Sequence, residues 1–171
     1  LGSGILEAVI QNAAESEVYG LDLELDWLLA DGLTFSFRGT WLDSEVTAWD
    51  SADPEESAAR IGNELPGTPE LTLFGALDWQ QPIGDQLLQA RLWANYADQA
   101  FRDIENTPAL LSDDYTTVNA RVGLLFADRW TVYLFSQNLF DEEYVTSRRI
   151  LVGMLGEYYG PPRTYGLGLR Y

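Results

Sequence analysis

Few side chains in this sequence are suited to chemistry, and those that are belong mostly to arginine and tyrosine. Arg102, Arg148 and Arg149 are among the few positive charges in its long irregular stretches, and the last two lie near the tyrosine pair Tyr158–Tyr159. Guanidinium groups hold anionic ligands through paired N–H donors, and tyrosine rings stack on aromatic groups or sugars. These five residues are the candidate substrate contacts; for any one of them, ordinary loop surface is the simpler account. Catalysis has less to work with. The chain has no cysteine and no histidine, so thiolate ligands, the usual general base and the commonest metal ligand are all missing. The neighbouring carboxylates Glu24 and Asp26 share a strand face, but Asp22 and Asp31 are close by and no base is near. They do not form a catalytic pair. No catalytic, metal or cofactor site is expected.

The stretch from Asp43 to Glu64 concentrates acid: Asp43, Glu45, Asp50, Asp53, Glu55, Glu56 and Glu64 against Arg60 alone. It lacks the ligand spacing of a calcium loop. A solvated, mobile loop is the reading, with divalent cations at a lipopolysaccharide surface as the alternative. The formal charge of -17 on 171 residues argues against nucleic acid, whose phosphates require a basic surface. Nothing near Leu1 resembles an export signal, and the sequence is expected to begin mid-protein. No run of 18 apolar residues exists for a helical span.

The elements that would position these groups announce themselves by two-residue alternation, the mark of a strand with unlike surroundings on its two faces. Tyr19, Leu21, Leu23, Leu25 and Trp27 oppose Gly20, Asp22, Glu24 and Asp26. Six further segments repeat the pattern at Leu33–Trp41, Leu71–Trp79, Leu88–Tyr96, Val118–Phe126, Trp130–Gln137 and Thr164–Tyr171. No charge falls on the apolar face of any of them. A charge facing lipid costs about 2–4 kcal/mol at the bilayer midplane, although the core of a soluble β-sandwich would exclude it too.

Three features favour membrane over sandwich. The segments run to about nine to eleven residues, the span of a tilted membrane strand, where soluble strands average about five or six. Connections alternate between tight turns (29–32, 80–85, 127–129) and long stretches (42–69, 97–114, 139–162), as periplasmic turns and extracellular loops do. Aromatics are sorted as well. With strand direction alternating, Trp27, Trp79, Phe126, Trp130 and Tyr171 fall at the short-turn edge, and Tyr19, Trp41, Tyr96 and Tyr165 at the long-loop edge. Two such girdles suit two membrane interfaces.

The expected fold is therefore all-β, an antiparallel transmembrane β-barrel segment of about seven long strands. Seven strands leave an open edge, which lipid does not tolerate. Either Ile5–Gln11 hides an eighth, or the chain is a piece of a larger barrel. The piece is the better account, with 12–18 as the extracellular entrance to the first strand. Asp22, Glu24, Asp26, Arg38, Arg91, Arg121 and Arg170 then face the lumen, expected as wall residues paired across strands or solvated rather than substrate contacts.

A resemblance now becomes visible. Asn138, Leu139, Phe140, Asp141 and Tyr144 stand as NLFDEEY, which resembles the NLFDxxY motif near the end of TonB-dependent receptors. Gly160, Pro162, Arg163, Thr164 and Tyr165 stand as GPPRTY, similar to the motif that opens their last strand. Gly20–Glu24 is similar to their descending strand after Asn12-Ala13, and Gly62–Pro69 to the segment that re-enters the barrel. The resemblance implies that residues 1–171 form the C-terminal part of a receptor barrel, roughly the last third of 22 strands. It also implies an N-terminal plug and a TonB box, neither of which this sequence contains. Siderophores, cobalamin, haem or glycans are what such receptors import. A ferric siderophore is the expected ligand, and TonB, outer-membrane lipid and lipopolysaccharide, and the barrel-assembly machinery are the expected partners. Tyr165, Leu167, Leu169 and Tyr171 match the assembly signal, and they equally suit a lipid-facing wall. A passive porin-like barrel is the rival from another class; it shares the strands but has no reason to carry the motif series.

Overall fold

In a computed structural model the described residues are 14–171, apart from Ala52 and Asp128. The possible strand at Ile5–Gln11 lies outside them.

All seven alternating segments form strands, and they join in one antiparallel sheet. β1 (Ala14–Ala30), β2 (Leu33–Trp49), β3 (Leu71–Ile83), β4 (Gln86–Ala97), β5 (Tyr115–Phe126) and β6 (Trp130–Gln137) pair in sequence order as a meander. Next along the chain come β7 (Val145–Leu151) and β8 (Met154–Tyr159), which form a separate hairpin. β9 (Thr164–Arg170) then returns to pair with β6. Among the described residues no helix is long and apolar enough to cross a membrane.

The register keeps the expected faces together. Leu23 lies opposite Gly39, Leu77 opposite Leu92, and Leu134 opposite Val122 and Leu167. Apolar therefore meets apolar along each row, while Asp26 meets Ser36 and Asp78 meets Arg91 on the other face. The apolar face is left uncovered: Leu21, Leu134 and Leu167 are 68%, 63% and 70% exposed. A sandwich would cover this face with a second sheet, and among the described residues none does so. The aromatic edges are also in place. Trp130 packs against Tyr171 with ring centroids 4.6 Å apart at the short-turn end.

Three connections differ from the expectation. β1 and β2 each run 17 residues and stay paired from Val18–Ser44 up to Ala14–Trp49. The described part of 12–18 is thus strand, hidden from alternation because Glu15, Ser16 and Glu17 are polar on both faces. The acidic stretch is folded rather than loose. Its first part is the upper end of β2, and its middle is a helix, α1 (Pro54–Arg60). The helix is specified locally: the Asp53 carboxylate accepts from the Glu55 N–H at 2.9 Å, Pro54 stands in the first turn, and Glu55, Glu56 and Arg60 complement the helix dipole. Finally, the long stretch 139–162 contains the β7–β8 hairpin, so Arg148, Arg149, Tyr158 and Tyr159 sit on strands. Its turn is Val152-Gly153, with φ of 50° and 76°, the left-handed pair that a two-residue hairpin turn demands.

Candidate ligand-binding loops and the closing knot

The long connections all leave the sheet at one edge, and there they build a layer of their own. The first (50–70) and second (98–114) exchange backbone bonds. The Asn106 side chain donates to Glu64 O at 3.0 Å and accepts from Glu64 N at 2.8 Å. Gly67 N donates to Phe101 O at 2.7 Å, and Asn63 Nδ2 donates to Ile104 O at 2.9 Å. Arg60 closes the joint: it pairs with Glu105 at 2.6 Å and Glu56 at 2.8 Å, with its guanidinium 4.4 Å from the Trp49 ring. Val46 is fully buried beneath this joint. Within the second connection Ser112 is buried, its hydroxyl accepting from Ala100 N at 3.1 Å and donating to Ala100 O at 3.0 Å.

The β7–β8 hairpin is fastened to this layer by Arg148. Its guanidinium pairs with Asp113 and Glu157, each at 2.9 Å, and donates to the Leu111 carbonyl. Burial alone would lower the Arg148 pKa, but the bonds to Glu157 and Asp113 outweigh it and the pKa is raised. Arg148 is therefore a fastening whose charge is already matched. Arg149, the next residue, points to the other face of its strand and stacks 4.5 Å over Tyr158. Tyr159 donates to Glu157 at 2.9 Å, and that carboxylate raises the phenol's pKa. Arg102 lies in the second connection with its Nε buried and unpartnered among the described residues. The five candidates are thus divided: Arg149, Tyr158 and Tyr159 share the hairpin, Arg102 belongs to the neighbouring connection, and Arg148 joins the two.

The NLFDEEY and GPPRTY segments fold together into a knot between the end of β6 and the start of β9. Asn138 has φ of 49° and is 4% exposed. Its side chain donates to Glu142 O at 2.8 Å and Pro161 O at 3.1 Å and accepts from Glu142 N at 2.9 Å. Asp141 accepts from the Arg163 N–H at 2.8 Å. Leu139 N donates to Val118 O at 2.7 Å, anchoring the knot to β5, while the Phe140 side chain is 74% exposed. Tyr144 stacks on Tyr115 at 4.3 Å, and burial raises its pKa. Its ring passes so close to Gly160 that a Cβ there would stand 2.1 Å away, so only glycine fits. Asn is among the few residues that tolerate left-handed backbone, which explains Asn138. The knot fixes where β9 begins.

Comparison with known proteins fits this geometry. The sequence model described as TonB dependent receptor-like, beta-barrel matches residues 2–139. The chain belongs to this receptor family. The family consists of receptors and transporters, not enzymes. The pesticin receptor of Yersinia pestis is 25% identical over 137 residues, covering 80% of this chain and 19% of the relative. The pesticin receptor of Yersinia enterocolitica matches over the same extent. Among solved structures, the ferric yersiniabactin uptake receptor FyuA from Yersinia pestis superimposes with a TM-score of 0.80 at 24% identity, over 93% of this chain and 24% of that one. The siderophore receptor PiuA from Acinetobacter baumannii gives 0.73 at 22% identity, over 94% of this chain and 22% of that one. The chain thus spans about a fifth of the length of the curated relatives it matches.

In the TonB-dependent receptor frame, the polar face of the sheet behaves as wall. Arg38 bridges Asp26 at 2.8 Å and Glu24 at 3.5 Å, Thr40 donates to Asp22 at 2.7 Å, and Arg91 stands 3.7 Å from Asp78. Arg121 lies 3.7 Å over the Tyr133 ring. The apolar positions of β9 (Tyr165, Leu167 and Leu169) and the following Tyr171 are 79%, 70%, 62% and 75% exposed, an unbroken outward row. Sequence reasoning missed Arg60, Asn106 and Ser112 as the residues that organise the loops. The bonds of Arg60 and Asn106 reach 45 and 42 positions along the chain and those of Ser112 reach 12, and none of them leaves a periodic signal.

Proposed function

We propose that this chain is the C-terminal part of the barrel of an outer-membrane receptor that imports a ferric siderophore by TonB-dependent active transport. Residues 1–171 supply roughly the final third of a barrel of about 22 strands, with the tight turns in the periplasm and the long connections outside. The observation that carries this reading is the seven-strand meander with an uncovered apolar face and an aromatic row at each edge, in a chain of this receptor family. Two solved relatives of the same fold are named as a ferric yersiniabactin uptake receptor and a siderophore receptor, which supports the substrate class. On the outer surface Arg102 and Arg149 offer charge to an anionic ferric chelate and Tyr158 and Tyr159 offer rings, while Arg148 holds the hairpin in place. Lipid and lipopolysaccharide contact the wall. The row Tyr165, Leu167, Leu169 and Tyr171 serves barrel-assembly machinery before it serves lipid.

The test uses the intact parent in cells starved of iron, supplied with single ferric siderophores, with and without TonB. Growth on at least one chelate that disappears with either the parent or TonB supports the reading. Uptake that continues without TonB would show a passive pore.

A further inference from the structure

The β7–β8 hairpin is seated only at its root. There Val145 is 5% exposed, and Arg148, paired with Glu157, reaches Asp113 and the Leu111 carbonyl of the second connection. Beyond that clamp the two strands continue to a tip of hydrocarbon. Ile150, Leu151, Val152, Met154 and Leu155 are all at least half exposed. Ile150 pairs with Leu155 on the face of Arg148 and Glu157, whereas Leu151 and Met154 lie on the opposite face. Both faces of the tip are therefore apolar, and from Ile150 to Gly156 no side chain carries a charge or a hydrogen-bond donor. A two-stranded hairpin is marginal in water on its own. The turn adds to that burden. Val152 stands at φ of 50° with its side chain 98% exposed. A β-branched residue is an outlier in that region, where Asn-Gly is the pair that a two-residue turn prefers. Among the described residues the Val152 side chain gains no contact that would offset the strain, so its partner lies outside them.

We propose that the tip of the β7–β8 hairpin is seated in an apolar socket formed by another extracellular connection of the parent polypeptide, the one above the strand that pairs with the free edge of β9. This rests on the receptor reading above, in which the long connections lie outside a closed barrel. β9 ends the sheet with one edge unpaired among the described residues, and lipid does not tolerate an open edge. A strand from the remainder of the parent therefore runs beside β9, and the connection above it borders the hairpin. The root of the hairpin argues against lipid or a neighbouring receptor as the occupant. Tyr144 stacks on Tyr115, and Asn138 N donates to the Asn119 side chain. Tyr115 and Asn119 lie on the polar face of β5, so the hairpin rises from inside the rim. A polar metal chelate is a poor match, because the tip offers it neither charge nor donor, and it would cover the tip only while bound. An apolar protein segment matches, and it extends onto Ile150 and Leu155 the interface that Arg148 begins on the same face.

The experiment uses the full-length parent in the outer membrane, with no siderophore added. A photoreactive benzoylphenylalanine replaces Val152, and the peptide it joins on irradiation is identified by mass spectrometry. The expected product has the mass of one receptor and joins Val152 to an extracellular connection outside residues 1–171. A cross-link to an N-terminal plug, to lipopolysaccharide or to a second receptor overturns the proposal, and so does the absence of any cross-link. Amide exchange across 150–155 adds a readout whose sign decides. Val152→Asn gives the turn its preferred residue and removes the hydrocarbon. A seated tip should then exchange about tenfold faster, as for a lost buried contact, while Val152→Ile should stay close to the unaltered receptor. Slower exchange in Val152→Asn would mean a free tip improved by a better turn, and unchanged exchange a tip that touches nothing; either overturns the proposal. TonB dependence of uptake is scored separately. An unpartnered tip on a TonB-dependent receptor sinks this inference alone, and a cross-linked tip on a passive pore sinks only the receptor reading.

Discussion

Val46, Ala100, Leu110, Ser112 and Val145 are nearly closed to the surface, and all lie in or beneath the long connections. Leu21, Leu23, Leu134 and Leu167, in the middle of the wall, are more than half exposed. A water-soluble domain distributes burial the other way, with its apolar side chains inside its sheets. On the outer-membrane reading proposed above, the solvent around the wall is itself apolar, so the side chains need only be free of charge. In the loop layer stability depends on conventional packing and on polar groups that find partners within the protein. One chain thus folds by two rules, and the boundary between them falls where β1 and β2 rise past the aromatic edge at Tyr19 and Trp41.

The sharpest way to break this comparison is a charge on the apolar face. Leu134→Arg should destabilise the parent barrel by about 2–4 kcal/mol, read as folded fraction by heat-modifiable migration across a denaturant series. Thr34→Arg, on the polar face, should stay within about 0.5 kcal/mol; equal losses would erase the distinction between the faces. Next comes the knot. Asn138→Ala removes two donated bonds and an accepted one and places alanine at φ of 49°, a loss of roughly 2–3 kcal/mol. Asn138→Asp keeps the acceptor and tolerates the backbone but turns a carboxylate oxygen toward the Glu142 and Pro161 carbonyls, so it should lose at least as much. A loss below about 0.5 kcal/mol for Asn138→Ala would mean that β9 is registered by strand pairing alone.

Smaller effects test whether the loop layer is separate from the wall. Arg148→Gln should speed amide exchange across 145–159 by about tenfold and leave β4 and β5 unchanged, because the clamp contributes to local rather than global opening. Equal acceleration in the wall would make the two regions one cooperative unit. Smallest of all is Arg38→Gln. Its ion pairs with Asp26 and Glu24 are at least one-third exposed, so solvent screens them and the denaturation midpoint of the parent barrel should barely move.

How far the sequence can be read follows the same division. Alternation located all seven wall strands and assigned their faces, because an apolar face and a polar face impose a two-residue period that survives any loop. The family motifs were visible as strings, but the bonds from Asn138 to Pro161 and from Asp141 to Arg163 that make them a unit were not. The β7–β8 hairpin was missed because its turn is Val152-Gly153, where a β-branched residue occupies a position usually marked by Asn or Asp. Helix α1 carried an Asp-Pro start that was legible in principle, but the surrounding acid read as loop. The candidate ligand residues were found by charge and ring alone. That criterion cannot separate Arg148, fully engaged with Asp113 and Glu157, from Arg149 beside it.

The reciprocal bonds between Asn106 and Glu64, with Arg60 bridging to Glu105, bear on how such a surface can be altered. The two connections are far apart in sequence, yet neither is complete without the other's backbone. Transplanting one of them into a related barrel would leave cut hydrogen bonds on both sides of the graft. Whatever specificity this surface holds is therefore inherited in pairs, and a recombinant that carries both connections should succeed where either alone fails.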